Sequence, residues 1–149
     1  MRLLALWLHV LGVVVWLGGL VYQVHVLAPA ARRGQVAAFA TATSRARPVA
    51  WTALSLVVLT GFYNVTRLGP LERVMESGAA LVLAAKLMLV LVIVALSGQR
   101  DFSQLPRLTR ALAAGTDTAL ALRAISWLDR IVVALGVVTM YLGLAISRS

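Results

Sequence analysis

Lys86 lies inside an apolar run from Ala79 to Leu96, the only one of fourteen cationic side chains so placed. A charge at that depth of a bilayer costs roughly 2.5–3.5 kcal/mol on insertion scales, so it usually faces a partner inside a helix bundle. The first apolar run, Leu3 to Ala28, carries both histidines, His9 and His25. An imidazole and an amine are nitrogen ligands for a metal, and the chemistry of the chain is expected between Lys86 and one of those histidines.

Helical phase singles out His9. His9, Gly12, Trp16, Gly19 and Gln23 follow a spacing that puts them on one stripe of a helix. The stripe begins with an imidazole, includes two glycines and has an aromatic wall. Gly136, Met140 and Gly143 form a comparable stripe further on. Glycines beside a ligand suit a flat macrocycle; they equally suit ordinary small-residue packing between membrane helices. His25 is sixteen positions after His9, roughly 24 Å along a helix, so the two cannot share one ion. It is either a second site or a polar residue at the headgroup level. For His9 the plain alternative is a neutral imidazole bonded to a neighbouring helix, and for Lys86 a structural cation that snorkels outward.

Four runs position these residues, each near the ~20 residues a bilayer needs: 3–28, 49–66, 78–97 and 125–146. The expected fold is all-α, a single four-helix transmembrane domain over residues 1–149. Four spans put both termini on one side, with Arg2, Arg67, Arg73 and Arg148. The opposite side carries Arg32, Arg33, Arg45, Arg47, Arg100, Arg107, Arg110, Arg123 and Arg130. Excess arginine marks the cytoplasm, so both termini are expected outside, in the inner membrane of a prokaryotic cell. His9, Lys86 and Met140 then fall in one layer, on the order of 10 Å below the outer boundary. The first run is too long for a signal-peptide core of about 7–15 residues and reads as a retained helix.

The segment 34–47 is Ala-rich, so the second helix is expected to begin before Pro48. Thr116 or Asp117 can cap a helix running into the fourth span. The link from Leu68 to Ser77 reads as Gly69-Pro70 followed by an amphipathic turn with Glu72 and Glu76. Asp129, Arg130, Arg123 and Trp127 read as an interfacial anchor, and Trp51 and Tyr141 as an aromatic belt. No internal repeat is visible in the letters.

Composition excludes an ordinary soluble domain: 61% of residues are hydrophobic, 13% charged, and the mean hydropathy is +0.92. The net charge of +9 sits in short loops without interleaved aromatics, so nucleic acid is not an expected partner. The lack of cysteine removes disulfides, thiolate metal sites and thiol catalysis. Met1, Met75 and Met88 form no copper-like cluster. Phosphate loops, zinc-protease motifs and nucleophile elbows are absent.

Leu8-His9-Val10-Leu11-Gly12, Val15-Trp16-Leu17-Gly18-Gly19-Leu20, Leu59-Thr60-Gly61-Phe62-Tyr63-Asn64 and Ala85-Lys86-Leu87 resemble, in that order, the copper-resistance D (CopD) superfamily. The likeness covers about residues 4–110. The same pattern is similar to that of HemJ-type protoporphyrinogen oxidases, where the first-helix His and third-helix Lys are associated with haem b and activity. By position those roles pass to His9 and Lys86. In that group the first-helix Tyr is followed by Pro-Arg; here Tyr22 is followed by Gln23-Val24-His25.

The resemblance implies a small haem b protein, cytochrome b-like, for electron transfer or oxidation of a membrane-soluble reductant. His9 would be one iron ligand, Lys86 the second or a propionate partner, and Met140 the reserve. Trp16, Gly12 and Gly19 would line the macrocycle. Expected partners are the bilayer, further copies or a larger membrane complex, and a redox partner or quinone-like reductant. The alternative is copper transport or resistance, as the superfamily name implies, and a second alternative is an accessory subunit without chemistry.

Overall fold

The structure, a computed structural model, describes residues 2–66 and 79–148, and all its regular structure there is helical. Helix α1 (Arg2–Tyr22) passes through a π-helical turn (Gln23–Leu27) into the short α2 (Ala28–Arg32), and α3 (Val36–Val65) returns. Helix α4 (Ala79–Gln99) passes through a second π-helical turn (Arg100–Gln104) into α5 (Leu105–Ala114), and α6 (Ala119–Arg148) returns. Four stretches are long and apolar enough to cross a membrane: Leu3–Arg32, Val36–Val65, Ala80–Ala114 and Ala119–Leu144. The link from Leu68 to Ser77 lies outside the described residues. Large apolar side chains such as Leu3, Trp7, Leu59, Leu81, Leu91 and Tyr141 are exposed on the bundle, as lipid contact requires.

The two π-helical turns have one cause. Pro29 and Pro106 each sit second in the short helix that follows, and proline has no N–H to donate. The amide just before each proline reaches back five residues, Ala28 to the Gln23 carbonyl and Leu105 to the Arg100 carbonyl. The short helices then end on glycines in the left-handed region, Gly34 at φ +102° and Gly115 at φ +63°. Helix α3 begins well before Pro48, as its Ala-rich entry implied. Asp117 accepts a hydrogen bond from the Ala119 amide at 2.8 Å and so supports the start of α6.

The chain is therefore two helical hairpins of one design, a repeat that residue identity conceals. Ala31 and Leu108 are each fourth in the short helix, Phe39 and Leu122 each fourth in the returning helix, and all four are buried. Together with Ala28, Ala40, Leu105 and Ile125 they form one core at the end where the short helices lie, called here the loop end. A second core of Trp16, Leu20, Ala53, Leu54, Ile93 and Val132 fills the middle of the bundle. Helix α1 packs along α3 and also touches α6, while α4 packs along α6.

Candidate functional site

His9 is held by the helix it packs against. Its Nδ1 lies 3.0 Å from the Val57 carbonyl oxygen and 3.0 Å from Thr60 Oγ1. A carbonyl only accepts, and the single Thr60 proton goes to the Leu56 carbonyl, so Nδ1 must carry the ring proton. Nε2 is left with its lone pair. A partner on one ring nitrogen that fixes the other as an acceptor is the arrangement metal-ligating histidines use. Gly61 completes the seat: a Cβ there would come within 3.2 Å of the imidazole Cε1. Thr60 and Gly61 are thus the acceptor and the floor of the His9 site, roles the sequence pattern had not assigned them.

Lys86 is half-buried on α4. A Cβ on Gly143 of α6 would lie 3.1 Å from the ammonium nitrogen, so that glycine makes room for the lysine head. His9 and Lys86 stand at equal positions, each fourteen residues before the π-helical turn of its hairpin.

The other expected residues are placed differently. Met140 is 46% exposed on α6. His25 is exposed, with Nδ1 donating to the Val21 carbonyl at 3.0 Å within its own helix. Gly12 is filled from α3: a Cβ would come 2.9 Å from Val57 Cγ2 and 3.2 Å from the Ala53 oxygen. Trp16 is buried against Gly136, where a Cβ would meet its ring at 3.2 Å and Leu17 Cδ1 at 3.0 Å. Gly19 faces open space. The glycines of the two stripes are taken up by protein side chains or face outward, so they form no slot for a macrocycle. Small-residue packing explains them. Among the described residues no three His, Cys, Asp or Glu side chains gather to hold a metal ion.

The loop end holds a second polar constellation. Asp129, expected as a surface anchor, is 0% exposed; its Oδ1 lies 2.6 Å from Arg100 Nε and its Oδ2 accepts from Gln23 Nε2 at 2.9 Å. Arg100 Nη1 also donates to Asp101 Oδ1 at 2.6 Å, and Asp101 Oδ2 accepts from the Trp51 indole at 2.7 Å. Trp51, expected in an aromatic belt, is part of this network. The π-helical turns position Gln23 and Arg100, which each open one. Arg123, Trp127 and Arg130 remain on the surface as expected. The Arg100-Asp101 pair closing an apolar run was the signal that could have exposed this cluster.

No curated protein and no solved structure matches the chain. A family model does match, over residues 40–146, which takes in α6 and the Val57, Thr60, Gly61, Lys86 and Gly143 surroundings but begins after His9. Its description is copper resistance protein D, and on a match of that extent the chain belongs to the copper resistance D family.

Proposed function

We propose that this protein passes copper ions through the membrane, with His9 as the ligand that receives them. The observation that supports this reading is the imidazole itself, pinned through Nδ1 so that Nε2 offers a lone pair inside the bundle. Imidazole is an accepted copper ligand, and without cysteine the chain has no softer sulfur than methionine. One imidazole beside a lysine makes a weak site. A cation that must leave again is better served by weak binding than by a closed cage. Lys86 is a fixed positive charge whose repulsion of an arriving cation keeps binding weak. With the arginine bias, the His9 layer belongs to the extracytoplasmic half and the loop end to the cytoplasmic face.

The test is the copper content of cells producing the protein, compared with cells producing His9→Ala at equal membrane abundance. Wild type is expected to shift copper content and His9→Ala to abolish the shift. A shift that survives His9→Ala, or none with wild type, defeats the reading. A Soret band in protein purified from haem-replete cells, lost in His9→Ala, would replace copper with haem. A reporter active only in the cytoplasm, fused after Ser149, is expected to stay silent; a strong signal reverses the orientation.

A further inference from the structure

The loop-end cluster is one charge out of balance. Arg100 supplies one positive charge and Asp101 with Asp129 supply two negative ones, all three no more than 5% exposed. The groups packed around them are the Gln23 amide from the end of α1 and the Trp51 indole from α3, both neutral. His25, two residues from Gln23, is exposed and bonded within its own helix, and Arg47, one turn before Trp51, lies over the Phe102 ring at 5.9 Å. Arg123 and Arg130, on the same helix as Asp129, are exposed. A surplus charge buried in an apolar bundle is costly enough that such groups take up a compensating charge.

The donor pattern identifies where a proton can go. Asp129 Oδ1 and Asp101 Oδ1 face the guanidinium, which can only donate, and Asp101 Oδ2 faces an indole N–H, which can only donate. A proton on any of these three would set two donors against each other. Asp129 Oδ2 faces a carboxamide, and a carboxamide turned over presents its oxygen. We infer that the cluster is a proton-binding site, with the proton carried on Asp129 Oδ2 and received by the Gln23 carbonyl oxygen. Uptake of that proton turns the amide over, brings the cluster to neutrality and leaves every other contact in place. The inference stands whether or not copper is the cargo.

Infrared difference spectroscopy of the purified protein in lipid reads this proton through the carbonyl stretch of a protonated carboxylic acid. Asp117, Glu72, Glu76 and the C-terminal carboxyl also protonate in acid, so the site is read as the difference between two proteins: wild type is expected to show on acidification a carbonyl band that Asp129→Asn lacks. Asp101→Asn removes the surplus charge, so its band should be weaker than that of wild type at the same pH and return on further acidification. Gln23→Leu removes the receiving oxygen and should move the band while retaining it. Asp129→Asn matches the protonated acid in charge and shape, with an amide that can donate to the Gln23 oxygen, so helix content should match wild type. Either spectra that are the same for wild type and Asp129→Asn down to the lowest pH at which the protein stays helical, or collapse of Asp129→Asn, overturns the proposal.

Discussion

Fourteen residues before its π-helical turn the first hairpin carries His9, and at the same place the second carries Lys86. The turns themselves open on Gln23 in one hairpin and on Arg100 in the other. Eighth in the returning helices are Thr43 and Ser126, both buried hydroxyls. The backbone plan is shared, while the side chains at matching points differ in chemistry: an imidazole against an amine, a carboxamide against a guanidinium. Helix length, proline position and buried volume are conditions of folding for both hairpins. The polar residue at a given point need only be satisfied by its own surroundings, so it is free to differ.

The sharpest break of this equivalence is at the two turn-opening residues. Arg100→Leu leaves Asp101 and Asp129 buried without a counter-charge, and is expected to cost about 3–5 kcal/mol. Gln23→Leu at the matching point removes one neutral donor and is expected to cost about 1–3 kcal/mol. Thermal unfolding in detergent should therefore show a large fall in Tm for the first and a modest one for the second. Equal losses would mean that the cluster is held by packing rather than by its charges.

That contrast also explains how much was legible in the letters. The four spans and the early start of α3 follow from hydropathy and composition, which act along the chain. The repeat was hidden because Ala31 matches Leu108 and Phe39 matches Leu122 only in being buried, and burial is a property of the fold. Asp129 was misread for a related reason. A carboxylate near arginines and a tryptophan has the composition of a headgroup anchor, and its partners Gln23 and Arg100 come from two other helices. The glycines were ambiguous in sequence because an open slot and a filled one need the same residue.

Between the two hairpins, the seats of His9 and Lys86 should respond unequally to the same kind of change. Gly61→Val places a branched side chain where the imidazole ring lies, its Cβ alone 3.2 Å from Cε1. A ring tied at Nδ1 cannot step aside without losing its bonds, so copper handling should fall to the level of His9→Ala. Gly143→Ala meets only the far end of a flexible lysine, 3.1 Å from Nζ, and that end can shift by a few tenths of an ångström. Cellular copper content should remain close to wild type for Gly143→Ala. A loss as deep as that of Gly61→Val would show that the position of the ammonium is as strictly required as that of the imidazole.

The smallest effects separate glycines that the stripe on α1 puts side by side. Gly12→Ala sets a methyl 2.9 Å from Val57 Cγ2 and 3.2 Å from a backbone carbonyl, and neither can withdraw without moving α3. Overpacking of this kind costs about 1–3 kcal/mol. Gly19→Ala meets nothing within 4 Å, and alanine is a better helix former than glycine by roughly 1 kcal/mol in a helix interior. The Tm in detergent should fall for Gly12→Ala and hold or rise slightly for Gly19→Ala. Were a macrocycle to lie along the stripe, a methyl at Gly19 would crowd it as much as one at Gly12, and both variants would lose stability in the loaded protein. A clean separation of the two confirms that Gly12 is where α1 meets α3 and that Gly19 faces outward with no group against it.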